Sequence, residues 1–166
     1  MGGQDNRWLE LEAFIRTRLP SMLRFAHALC GRPEEAEDLV MEAMVRTGAR
    51  WPHLRRDDPD AYLRRAILNI YLNNNRRDAR VLLMAHPPDQ AGPEPDVAVV
   101  QRDEVKRLLD QLPPRTRAAV VLRYYLDQSE QRTAELLGVS PGTVKRQLHD
   151  ARQQLRSIAS VTKERL

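Results

Sequence analysis

Apolar residues recur at intervals of three and four along most of the chain, the period of helices and not of strands. Met22, Phe25, Ala26 and Leu29 make one such stripe, which Gly31 terminates. Pro33, Glu34 and Glu35 then open a second helix that carries Ala36, Leu39, Val40, Ala43 and Met44 inward. Asp58 suits the cap of a third, with Pro59 in its first turn and Leu63, Ala66, Ile67 and Ile70 as its buried stripe. Further on, Leu112–Tyr125 starts a helix at the pair Pro113–Pro114 and places Ala118, Val121, Leu122 and Tyr125 on one face. Residues 8–80 show helical periods only, so the predicted fold class is all-α.

The run Thr133–Leu148 spells two short helices joined by a tight turn. Ala134 is small where a partner helix must come close, and Gly138, four residues later, can take the left-handed conformation that ends a helix. Ser140 caps the next helix and Pro141 takes its first position. Val144, Leu148, Ala151 and Leu155 form its packing stripe, while Lys145, Arg146, His149 and Arg152 lie off it. A helix-turn-helix with a cationic face suited to a major groove fits these residues, and so does an ordinary helix pair with a solvated basic side.

Two other outward faces carry charge. Glu35, Asp38 and Glu42 form an acidic strip on the second helix, and a solvated surface is the plain account of it. On the third, at about 100° per residue, Arg65, Asn69, Asn73, Arg76 and Arg80 gather into one stripe beside the apolar one. Asn amides can hydrogen-bond base edges and Arg can hold phosphates, which makes this a second candidate nucleic-acid surface.

Composition sets the organisation. A chain of 166 residues with seven glycines fits small all-helical domains. Residues 85–96 hold four prolines and a glycine and cannot sustain a helix, which predicts a linker over 85–103 between domains at 8–84 and 104–160. Residues 1–84 carry 14 basic and 12 acidic side chains, residues 85–104 carry 1 and 5, and residues 105–166 carry 12 and 6. Two basic blocks thus flank an acidic one. No apolar run approaches a membrane span and no signal-peptide pattern opens the chain, so a cytoplasmic protein with no membrane partner is expected. His27 and Cys30 lack a second ligand pair at zinc spacing, so a buried Cys and a satisfied His are expected there. The sequence offers no phosphate loop, metalloprotease helix or nucleophile motif, and the expectation is a non-enzyme without metal or cofactor.

Four segments in order resemble the sigma factors of bacterial RNA polymerase, specifically the two-domain extracytoplasmic-function group, with wording around Trp51 and Asn69 similar to an actinobacterial subgroup. Glu35–Ala43 (EAEDLVMEA) resembles their core-polymerase-binding motif, and Ala61–Asn69 with Arg76–Arg77 resembles their promoter-melting helix. Leu112–Arg117 and Leu137–Lys145 resemble their fourth conserved region. The resemblance implies a region 2 bundle and a region 4 bundle that join core RNA polymerase, bind promoter DNA and direct initiation. It implies core-binding residues at Glu35, Asp38, Leu39, Met41 and Glu42, docking on a coiled coil of the polymerase clamp. Readers of the −10 element would be Arg55 and Arg56, in the loop 52–58, with Arg65, Asn69, Asn73, Arg76, Arg77 and Arg80. Readers of the −35 element would be Ser140, Pro141, Thr143, Lys145, Arg146, His149 and Arg152. The linker acids Asp89, Glu94 and Asp96 would occupy a channel built for a polyanion. An anti-sigma factor is a further implied partner.

The chain departs from the family pattern at Arg146, Gln147 and Asp150, and Asn73 stands where an aspartate is frequent. Asp150 is placed to face a cytosine amine, to keep the helix off phosphate, or to pair with Arg146 four residues back, the last being the favoured reading. The alternative function is a stand-alone helix-turn-helix regulator of response-regulator type, which would need parallel strands and an acidic phosphorylation pocket in the N-terminal half. A third is a sequestered interaction module without promoter activity.

Overall fold

The computed structural model of the protein describes the backbone of residues 2–84 and 100–163 and the side chains of 6–81 and 104–157. The described residues contain helices and no strand. They fall into two compact units, residues 1–74 and 75–166. A receiver domain with a parallel sheet is therefore excluded from the described N-terminal half.

In the first unit, α1 (Gly2–Cys30) packs on α2 (Pro33–Leu54), and α3 (Pro59–Met84) begins in it at Pro59 and continues past its last residue, Asn74. Gly31 ends α1 at φ +75°, its N–H donating to the His27 carbonyl at 2.8 Å. The expected stripes are the core: Met22, Phe25, Ala26 and Leu29 from α1, Ala36, Leu39, Val40, Ala43 and Met44 from α2, and Leu63, Ala66, Ile67 and Ile70 from α3 are all buried. The cap of α3 forms as the sequence predicts, with the Asp58 carboxylate accepting the Ala61 N–H at 2.9 Å. Asp60 in the same turn receives Arg18 of α1 at 3.2 Å and Arg64 at 2.7 Å, and the Arg50 guanidinium of α2 lies 5.9 Å from the Tyr62 ring centre. These contacts fix the start of α3, and with it the orientation of its polar stripe.

In the second unit, α4 (Val100–Asp110) precedes α5 (Pro114–Val120), which runs into a π turn over Val121–Tyr125, followed by α6 (Glu130–Leu137) and α7 (Pro141–Lys163). Helix α7 packs on both α5 and α6. Leu112, Ala118, Ala119, Val121, Leu122, Ala134, Leu137, Val144, Leu148 and Ala151 form the core.

Helix α4 begins at Val100, within the last residues of the expected linker, and residues 85–99, with Asp89, Glu94 and Asp96, lie outside the described residues. Two expectations need correction. Tyr125 was expected on the buried face with Ala118, Val121 and Leu122, yet it is 48% exposed. The π turn is the cause: the Leu126 N–H reaches five residues back to the Val121 carbonyl, 3.1 Å away, and the added residue rotates Tyr125 off the α-helical stripe. The loop before α3 is also shorter than 52–58, because Pro52, His53 and Leu54 complete the last turn of α2.

Candidate nucleic-acid interface

The turn between α6 and α7 is built by local chemistry. Gly138 sits at φ 65°, ψ 38°, and the Val139 N–H reaches the Ala134 carbonyl at 3.0 Å, so the last carbonyls of α6 are satisfied by a left-handed cap. The Ser140 Oγ accepts the Thr143 N–H at 3.1 Å and lies 2.9 Å from the Thr143 hydroxyl. Ser129 caps α6 in the same way, accepting the Arg132 N–H at 3.0 Å; a serine just ahead of Glu130 was the signal for this start. Arg115 of α5 donates to the Leu137 carbonyl at 3.4 Å, and Gln154 of α7 donates to the Gln111 carbonyl at 3.0 Å. These bonds tie the C-terminal end of α6 and the distal part of α7 to the rest of the unit.

With Val144, Leu148 and Ala151 buried, Lys145, Arg146, His149 and Arg152 stand exposed on the opposite side of α7, alongside Ser140 and Pro141 at its start. Thr143 is half-buried. Arg152 spends its Nε on the Leu148 carbonyl at 3.2 Å, and His149 Nε2 lies 3.0 Å from the Gln153 amide. Lys145 and Arg146 are thus the cations of this face least engaged by their own helix. The favoured Arg146–Asp150 pair is absent: both side chains are exposed and no ion pair joins them. An exposed pair gains little, and a cation four residues ahead of an acid is the weaker order along a helix. Gln147 turns its amide oxygen inward, buried and without a hydrogen-bond partner among the described residues.

On α3, Arg65, Asn69, Asn73, Arg76 and Arg80 are all exposed and share one edge, joined by the exposed Arg77. In the loop, Arg56 is exposed, whereas Arg55 is half-buried and donates to Glu10 of α1 at 2.9 Å. Arg55 therefore clamps the loop to α1, a role that a partner 45 residues away hides from local sequence reading.

The acidic strip on α2 is uneven. Asp38 is exposed and forms no ion pair among the described residues. Glu42 is exposed and pairs with Arg46 at 2.5 Å, and Glu35 is half-buried against Arg32. Leu39, expected to touch a partner, is 1% exposed; it belongs to the core with Ala36, Val40 and Ala43, and the expectation is withdrawn. Met41 is 59% exposed and Val45, one turn further on, is 69% exposed, so α2 presents two apolar side chains beside its acids.

Residues 14–81 match the family described as Sigma-70 region 2, and residues 102–155 match Sigma-70, region 4. The RNA polymerase sigma-E factor of Streptomyces avermitilis is 37% identical over 150 residues, covering 89% of this chain and 84% of that protein. The chain belongs to the extracytoplasmic-function group of RNA polymerase sigma factors. The ECF RNA polymerase sigma factor SigE of Mycolicibacterium smegmatis is 32% identical over 157 residues, 90% of this chain and 60% of that protein. Among solved structures, RpoE in complex with the anti-sigma factor NepR, from Bartonella quintana, matches with a TM-score of 0.70 at 21% identity, covering 90% of this chain and 96% of that one. That likeness gives this sigma factor the same helical fold. Among the described residues no helix is long and apolar enough to cross a membrane.

Proposed function

We propose that this sigma factor divides its work among three faces: Asp38, Met41 and Glu42 on α2 for core RNA polymerase, the α3 stripe from Arg65 to Arg80 for the −10 element, and the exposed side of α7 for the −35 element. As a sigma factor it joins core polymerase and directs promoter recognition and initiation. The observation that carries the residue-level reading is that exposed amides and arginines share one edge of α3 while a capped helix-turn-helix presents Lys145 and Arg146, both on a chain whose α2 also exposes the acid Asp38. Residues 8–84 and 104–160 serve as the two functional domains. Asn69 and Asn73 capture bases of the nontemplate strand, Arg65, Arg76, Arg77 and Arg80 hold its phosphates, and Arg55 positions the loop that carries Arg56. The polymerase supplies the chemistry; the sigma factor itself is a cytoplasmic non-enzyme without cofactor. An anti-sigma factor, of the kind bound to the Bartonella relative, would silence it by covering these faces.

Run-off transcription with purified core polymerase tests the reading, using wild type and Asp38→Arg. Because Asp38 is exposed, with no ion pair among the described residues, reversing its charge leaves the circular dichroism unchanged and removes transcript by weakening association with core. Wild-type transcript from Asp38→Arg would take the residue out of the interface. Absence of transcript from wild type on every promoter offered would instead favour the sequestered module.

A further inference from the structure

A cavity of about 210 Å³ opens between α1 and α2 in the first unit, lined by Arg7, Trp8, Leu11, Gly48, Trp51 and Pro52. Apolar cavities of about 150 Å³ admit a benzene ring, so this one holds a single ring with room for a small substituent. Mostly apolar and aromatic walls with a few polar groups are the composition of a small-molecule site.

The chemistry of the walls says what fits. Both tryptophans of the chain stand here: Trp51 is buried with its ring 5.1 Å from that of Phe14, and Trp8 is 68% exposed, so flat faces are available to a flat ligand. The Trp51 Nε1 is buried without an acceptor among the described residues, whereas a buried indole N–H ordinarily finds one. Every polar side-chain group of the lining is a donor, namely two indole N–H groups and the Arg7 guanidinium, which keeps its charge and its several N–H groups whatever else it engages. The lining side chains include no carboxylate, hydroxyl or amide oxygen. Donors alone call for an acceptor, and the cation favours one that carries negative charge. Gly48 keeps the room: a Cβ there would meet Leu11 Cδ2 at an ordinary 3.5 Å, so an alanine would fit and would suit the helix better.

We infer that this cavity binds a single-ring aromatic carboxylate, its ring between Trp8 and Trp51, its carboxylate accepting from the Trp51 Nε1–H and drawn to the Arg7 guanidinium. The site uses none of the residues assigned to polymerase or promoter and stands independently of those assignments. A ligand that binds only the folded unit stabilises it, so the first unit would answer to the concentration of an aromatic acid.

The test titrates the full chain, carrying isotope-labelled tryptophan, with sodium benzoate under nuclear magnetic resonance; Trp8→Phe assigns the two indole N–H signals. The Trp51 signal is expected to shift saturably. Toluene, which lacks the acceptor, and acetate, which lacks the ring, are each expected to bind at least about tenfold more weakly. Trp51→Phe keeps a ring and loses the donor; read at Trp8, it should weaken benzoate about tenfold and leave toluene unchanged. Arg7→Gln should likewise weaken benzoate and spare toluene, and Gly48→Leu, which fills the cavity, should abolish both. Absence of a saturable shift with benzoate, an equal response to acetate or to toluene, or binding that survives in a folded Gly48→Leu overturns the inference. If circular dichroism shows that Gly48→Leu fails to fold, Trp51→Phe and Arg7→Gln decide it, and unchanged benzoate affinity in either overturns the inference.

Discussion

Substituting Gly138 isolates the backbone contribution to the helix-turn-helix. The residue holds φ +65°, and nothing lies within 4 Å of where its Cβ would be, so a side chain there meets strain without a clash. A left-handed conformation costs a non-glycine residue about 1–2 kcal/mol. Reduced freedom in the unfolded chain returns about 0.4–1 kcal/mol. Gly138→Ala should therefore destabilise the second unit by roughly 0.5–1 kcal/mol, and at about 4–8 °C per kcal/mol for a domain of this size, lower its melting temperature by about 2–8 °C. Gly138→Leu should cost about as much as Ala, because space is not what limits the position, and Gly138→Asn should cost less. The two tryptophans, Trp8 and Trp51, both lie in the first unit, so their fluorescence follows that unit alone while far-ultraviolet circular dichroism follows both. The loss should appear in the dichroism melt and leave the fluorescence melt in place. Equal stability of Gly138→Ala and wild type, or a cost for Leu several times that for Ala, would refute the argument from φ.

Asn69→Ala should impair opening of a duplex promoter more than use of a template already mismatched across the −10 element, since base capture matters less once strands are parted; permanganate footprinting reads the difference, and equal defects would assign Asn69 to the backbone. Lys145→Ala or Arg146→Ala should relax preference at one −35 position by about 1–3 kcal/mol if the side chain reads a base, or lower the salt slope by about one if it holds phosphate. Asp150→Arg should strengthen nonspecific binding, and with the Arg146 pair absent, selection from a randomised −35 library tells base reading from charge alone: an unchanged preferred sequence removes Asp150 from the readers. In the second unit, Asp110→Ala removes the ion pair to Arg117, which is 5% exposed, and should cost about 1.5–3 kcal/mol in the dichroism melt, while Arg132→Ala, from a pair open to solvent, should cost under about 1 kcal/mol; equal losses would refute the role of burial.

What the sequence revealed and what it hid divide along physical lines. Caps and turns at Gly31, Asp58, Gly138 and Ser140 were legible because each is decided by one residue's own backbone or side-chain chemistry. The α3 stripe was legible because period alone fixes which residues share an edge. The Arg55–Glu10 pair was not legible because its two residues come from different parts of the chain, nor was the exposure of Tyr125, because a π turn adds a residue that no α-helical period counts. Leu39 was assigned by resemblance to a contact that its own period denies. The cavity lined by Trp8, Leu11, Gly48 and Trp51 exists only once α1 lies against α2, so no period along the chain marks it.

The π turn over Val121–Tyr125 also bears on how this segment tolerates changes in length. It holds one residue more than the α-helical path needs, with the surplus taken up before Asp127, whose φ of +50° redirects the chain toward α6. Deleting one residue within the turn would let α5 continue as regular α-helix, and the following residues would turn by about 100°, bringing Tyr125's neighbour onto the buried stripe in its place. Loss of a single codon, which elsewhere in a packed helix scrambles every face beyond it, here has a ready place to be absorbed.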